Sequence, residues 1–81
     1  MSKASTINVI EIIAAVLEMS IADLNMDSSM LDTPKWDSLA HMNIVSAIEK
    51  ELACELELDD IASAISIKNF HNIISKYTVG N

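Results

Sequence analysis

Arginine is absent from this chain, and glycine, proline and cysteine occur once each. One glycine and one proline leave little material for hairpin turns or flexible linkers, which excludes a many-stranded domain and favours helices. The lone thiol, Cys54, has no partner for an intramolecular disulfide. Together with His41 and His71 it cannot complete a metal cluster without carboxylate help, so the expected compartment is a reducing cytoplasm. All five cations are lysines, and they face twelve Asp and Glu for a net charge of −7. That balance repels a nucleic-acid backbone and makes basic protein surfaces the complementary partners.

Long hydrophobic runs are also missing. In "MSKASTINVIEIIAAVLEMS" the apolar stretch is interrupted by Asn8, Glu11 and Glu18, short of a membrane span or a signal-peptide core, so neither export nor anchoring is expected. What remains is 81 residues with 51% hydrophobic content and a mean hydropathy of +0.31. That is too apolar for disorder and enough for one small domain, residues 1–81, with one modest core and no cleft between domains.

The apolar residues are spaced for helices. Ile7, Ile10, Ile13, Ala14 and Leu17 recur every three or four positions and predict a first helix, with Ser5 or Thr6 as its cap. The next stretch, "SIADLNMDSSMLDTPKW", has no sustained period. It reads as a long loop pegged by Ile21, Leu24, Met30 and Leu31. From Ser38, the residues Leu39, Met42, Val45, Ile48 and Leu52 mark the apolar face of a second helix of about four turns. "ACELELDD" alternates like a strand but has no partner strand, so it reads as a connection leading into a short helix near 59–64. Ser66 caps a last helix whose apolar face is Ile67, Phe70, Ile73, Ile74 and Tyr77. Lys76 lies near its negative end and Gly80 just beyond as a stop. The sum is an all-α domain, a small four-helix bundle of three longer helices and one short one, with a long first loop.

Several constellations fail as chemistry. Asp23, Asn25 and Asp27 match the first, third and fifth positions of an EF-hand loop. Ser28 then replaces the required glycine and Pro34 the bidentate glutamate, so no calcium site of that kind is expected. Ser38 with His41 or His71 and an aspartate suggests a hydrolytic triad on paper, but no Gly-rich nucleophile turn or oxyanion loop accompanies them. Both histidines read instead as solvated surface residues. Cys54, between Leu52 and Leu56, reads as a small buried hydrophobe. Met19, Met26 and Met30 read as fillers of irregular core gaps. Trp36 reads as a staple packed over the entrance of the second helix.

Ser38 itself sits in "TPKWDSLAHM". Ser and Asp are both good helix caps. Asp37 can take that place alone, which leaves the serine hydroxyl free at the first helical residue. A phosphate esterified there would meet unpaired N–H groups and the positive end of the helix dipole.

"WDSLAHMNIVSAIEKEL" resembles the Asp-Ser-Leu segment of acyl carrier proteins, and length, acidity and helix order resemble that family from about Ile7 to Tyr77. The resemblance implies that Ser38 receives 4′-phosphopantetheine from coenzyme A, that Asp37 helps present it to the phosphopantetheinyl transferase, and that Leu39 and Met42 flank the arm on the partner-facing side. It further implies that Glu49 and Glu51 supply acidic recognition for enzymes with basic docking surfaces. This chain departs from the family pattern at Asn43, where a further acid is frequent, at Lys50, which interrupts the acidic run, and at Ala53, where a glycine often ends the second helix. The implied function is that of a stand-alone, monomeric, non-enzymatic carrier. It would deliver acyl thioesters to enzymes of fatty-acid, polyketide or related pathways. Two alternatives stay open: an aminoacyl carrier, for instance of alanine, and an unmodified helical interaction domain in which Ser38 is only a cap.

Overall fold

The computed structural model describes residues 8–78. They form four α-helices: α1, Val9–Leu17; α2, Ser38–Leu52; α3, Leu58–Ser63; and α4, Ile67–Thr78. Among the described residues there is no strand, only an isolated antiparallel bridge between Ser29 and Ser66. The expected all-α bundle with one short helix and a long first loop is the observed one.

Asn8, not Ser5 or Thr6, caps α1: its side chain accepts a 3.1 Å hydrogen bond from the Glu11 amide. Ser5, Thr6 and Ile7 lie outside the described residues. The buried stripe is Val9, Ile13, Ala14 and Leu17, with Ile10 half-buried. The segment is apolar on nearly every side, so spacing alone does not fix which line of residues turns inward. Glu18 ends α1 in the left-handed region at φ 58°, and Lys35 donates to its carbonyl at 3.4 Å.

Between Ser20 and Asp32 the long loop is shaped by its polar residues. Ser20 caps a 3₁₀ turn at Ile21–Asp23, the Asn25 side chain accepts from the Asp27 amide at 2.8 Å, and Ser28 Oγ accepts from the Asn25 amide at 3.0 Å. Asp32 accepts from the Ser29 amide at 3.1 Å. Of the calcium-like side chains, that of Asn25 forms a turn, and no His, Cys, Asp and Glu cluster among the described residues could hold a metal ion. Only Leu24 of the four expected pegs is buried. Met30 is half-buried, and Ile21 and Leu31 face solvent. The loop is instead fastened by its backbone to the start of α4. The carbonyls of Ser28 and Met26 accept from the amides of Ile67 and Lys68 at 3.0 and 3.1 Å, and the Met30 amide donates to Ile65 O at 2.8 Å. The first two of these bonds satisfy amides that the first turn of α4 cannot pair internally. Ser66, as expected, caps the same turn by accepting from the Asn69 amide at 3.1 Å.

In α2 the buried face is His41, Ile44, Val45 and Ile48. Of the apolar face expected here, Val45 and Ile48 are buried and Leu52 half-buried, whereas Leu39 and Met42 are 73% and 50% exposed, in line with the partner-facing side that the resemblance implies. The buried face is turned toward His41 and Ile44, so the first turn of the expected apolar line, Leu39 and Met42, faces outward while its Val45 and Ile48 face the core. Cys54 is exposed, not buried, just past the end of the helix. Met19 is half-buried against the core as a filler, whereas Met26 is exposed.

No residue of α3 is fully buried, and its N-cap makes no side-chain bond. Polar tethers hold it. Tyr77 Oη donates to Asp60 Oδ2 at 2.8 Å and accepts from the Glu57 amide at 2.9 Å, and Lys76 Nζ meets Asp60 Oδ1 at 2.9 Å. The bonds from Lys76 and Tyr77 hold the Asp60 carboxyl below its ordinary value, and the same contact raises Lys76. The Glu57 amide pulls the Tyr77 hydroxyl down, but burial and the Asp60 carboxylate outweigh it, so Tyr77 is raised.

Candidate functional site

Asp37 is the N-cap of α2, with extended backbone and its Oδ1 accepting from the Ala40 amide at 2.9 Å. Ser38 is the first helical residue and is exposed. Among the described residues nothing hydrogen-bonds its hydroxyl, and the cap needs nothing from it. A primary hydroxyl thus stands in solvent at a helix start where two amides, those of Ser38 and Leu39, still lack an intrahelical acceptor. Leu39 and Met42 lie beside it with their side chains in solvent. Glu51 is exposed, while Glu49 is half-buried and its Oε2 accepts from the Leu56 amide at 2.9 Å, bracing the turn that follows α2.

The residues flanking Ser38 go the other way. Trp36 is 1% exposed. Its indole stacks on Phe70 of α4 with ring centroids 6.2 Å apart, and its amide donates to Thr33 O at 2.9 Å. Burying an indole of about 200 Å² at about 25 cal/mol per Å² contributes up to about 5 kcal/mol, several times the worth of a cap. Trp36 is therefore the anchor of the loop, deeper than a staple over a helix entrance.

His41 corrects a second expectation, for it is buried and not a solvated surface residue. Indole Nε1–H can only donate. It donates to His41 Nδ1 at 3.1 Å, which puts the imidazole proton on Nε2, 3.0 Å from Ile61 O. Both ring nitrogens are satisfied, which removes the penalty for burying the ring. Ile61 O belongs to the last turn of α3, where helical carbonyls lack internal partners, so His41 closes the end of that short helix from outside. The available signal was the placing of Trp and His on either side of Asp-Ser. His71, by contrast, is exposed as expected.

The start of α2 presents the Ser38 hydroxyl at an exposed helix end. A cleft of about 340 Å³ between α3 and α4 is lined by Asp60, Ser63, Asn69, Asn72, Ile73 and Lys76 and includes no residue near Ser38. No helix among the described residues is long and apolar enough to cross a membrane. Residues 8–72 match a family model described as phosphopantetheine attachment site. No curated protein matches the chain. The start of α2 fits that group, because it offers an exposed hydroxyl to esterify and an electropositive helix end for the phosphate. Such domains catalyse nothing themselves and work with a phosphopantetheinyl transferase and with the enzymes they supply. The match spans most of the chain and agrees with its helical architecture, and the chain belongs to the family of carrier domains that bind 4′-phosphopantetheine covalently.

Proposed function

We infer that Ser38 carries the phosphopantetheine and that the protein is an acyl carrier, holding acyl groups as thioesters on that arm and passing them between enzymes. The observation that supports this most is the division of labour at the start of α2: Asp37 makes the cap, and the Ser38 hydroxyl is left exposed and unbonded. A serine with only a capping role would be the one bonded to the helix amides.

Leu39 and Met42 support a partner-facing role for the same end of α2. Two large apolar side chains left 73% and 50% exposed beside the attachment residue offer apolar surface to a partner. Glu51 and the net charge of −7 favour fast, salt-sensitive encounter with basic enzymes, as a shuttle requires. Glu49 shares its carboxylate with the Leu56 amide, so its part in recognition is tied to the shape of the turn. In a reducing cytoplasm the exposed Cys54 stays a thiol.

The test is the cargo of the chain recovered from its own cells. Cleaving the thioester with hydroxylamine should release an acyl hydroxamate. An alanyl hydroxamate would assign the chain to aminoacyl transfer, and a chain that never bears an arm would leave Ser38 as a mere surface residue.

A further inference from the structure

The Ser38 hydroxyl has no hydrogen bond of its own among the described residues, yet Ser38 sits between two buried residues that are bonded to each other. The Trp36 indole and the His41 ring lie nearly parallel, 23° apart with centroids 6.3 Å apart, and share the 3.1 Å Nε1–H to Nδ1 bond. This bond closes a short loop of chain, residues 36 to 41, with Asp37 and Ser38 at its exposed apex. The closed loop is fixed to the rest of the molecule at two points. Trp36 is stacked on Phe70 of α4, and His41 Nε2 donates to Ile61 O of α3 at 3.0 Å. Phe70 also faces His41, with ring centroids 5.5 Å apart, so the imidazole is enclosed.

Building on the reading of Ser38 as the attachment residue, we propose that Trp36 and His41 are positioning residues for phosphopantetheine transfer: their mutual hydrogen bond fixes where the Ser38 hydroxyl stands relative to the surface on which the transferase docks. Neither side chain touches the hydroxyl. In the transfer, the Ser38 oxygen attacks the β-phosphorus of coenzyme A, its proton is lost to a base of the transferase, and 3′,5′-adenosine bisphosphate leaves. The carrier's contribution to the rate is the position of that oxygen, and a displacement of about 1 Å in a reacting atom can cost about a hundredfold. The proposed docking surface uses the exposed Leu39, Met42 and Glu51, whereas the pair is buried. Loosening the pair therefore acts on the turnover step and leaves docking nearly intact.

The experiment measures transfer kinetics with a broad-specificity transferase and locates the arm by peptide mass spectrometry. Trp36→Phe keeps a ring on Phe70 and removes the donor, and His41→Leu removes the acceptor. Each should lower kcat about tenfold with KM within about twofold of the wild-type chain. Combining them should cost no more than His41→Leu alone, because both act through one bond. His41→Asn, whose side-chain oxygen can occupy the place of Nδ1, should recover most of the loss. Ile13→Val, on the buried face of α1, lowers stability while leaving both the donor and the acceptor of the pair in place, and should leave both constants unchanged. The proposal is overturned if Trp36→Phe and His41→Leu turn over at the wild-type rate, if His41→Asn is as slow as His41→Leu, or if Ile13→Val slows transfer as much at an equal loss of melting temperature. A wild-type chain that takes up no arm, or takes it up elsewhere than Ser38, refutes the attachment reading itself and the role of the pair with it.

Discussion

Ala53 ends α2 at φ 58°, ψ 34°. A residue with a Cβ pays about 1–2 kcal/mol in that left-handed region, which glycine does not. Its amide donates to Glu49 O, and the Cys54 amide reaches the same carbonyl at 3.3 Å. The left-handed turn thus brings a second amide, that of Cys54, to Glu49 O, one of the last four carbonyls of the helix. Ala53→Gly should relieve the strain while loosening the unfolded chain by about 0.4–1 kcal/mol. The net gain is about 0.5–1 kcal/mol, or a rise in melting temperature of about 3–6 °C for a domain of this size. Ala53→Val, with its branched Cβ in the same region, should lose more than 1 kcal/mol. Urea titration followed by circular dichroism at 222 nm measures both. A glycine variant less stable than the parent, at an unchanged slope against urea, would show that the residue at 53 is not strained and that the helix ends otherwise. The bonding of Glu49 to Leu56 beyond this turn makes the result informative for function, since the same turn orients an acidic side chain of the proposed docking face.

Ser38→Ala should abolish loading and change stability by well under about 1 kcal/mol, whereas Asp37→Ala should cost about 1 kcal/mol because it removes the cap; the reverse order in denaturant titration would make Ser38 the structural residue. Asp60 is depressed below 3.8, so its contribution to stability is complete above that value and is lost as pH falls through the folded value. Tyr77 is raised above 10.0, so its contribution is complete below 10.0 and is lost as pH rises through the folded value. The stability difference between the wild-type chain and Tyr77→Phe should therefore be flat across neutral pH and narrow at both ends, and a difference independent of pH from 3 to 11, on the order of the range set by the free groups, would contradict the tethering of α3. Met42→Glu should weaken transfer to a cognate enzyme through desolvation of the new carboxylate, while Glu51→Lys should chiefly slow association and flatten its salt dependence. Stopped-flow binding over a salt series separates the two, and normal binding by Met42→Glu would move the docking face away from α2.

The parts of the structure that were legible in the sequence are those governed by local chemistry. Asp37 as cap, Ser38 as first helical residue, Ser66 as cap of α4, and the helical periods of α2 and α4 all depend on residues within one turn of each other. What was not legible depends on contacts distant in sequence. The burial of His41 requires Trp36 on one nitrogen and Ile61 O on the other, and no spacing rule announces the second of these. The exposure of Leu39 and Met42 agrees with the family resemblance but not with the apolar period, because Leu and Met are as apolar as the residues that line the core face. The tethering of α3 by Asp60, Lys76 and Tyr77 joins residues sixteen and seventeen positions apart. The loop was read as pegged by hydrophobes because its turn-forming side chains and its backbone bonds to α4 leave little trace in hydrophobic patterning.

The central claim is that the exposed hydroxyl of Ser38 is the point of attachment. Incubating the chain in its apo form with coenzyme A, magnesium and a broad-specificity phosphopantetheinyl transferase, then mapping the product by tandem mass spectrometry, tests it most directly. One phosphopantetheine on the peptide containing Ser38, and none on Ser38→Ala, is the predicted result. An unmodified chain, alongside a control carrier modified by the same transferase, or an arm on another serine would contradict it.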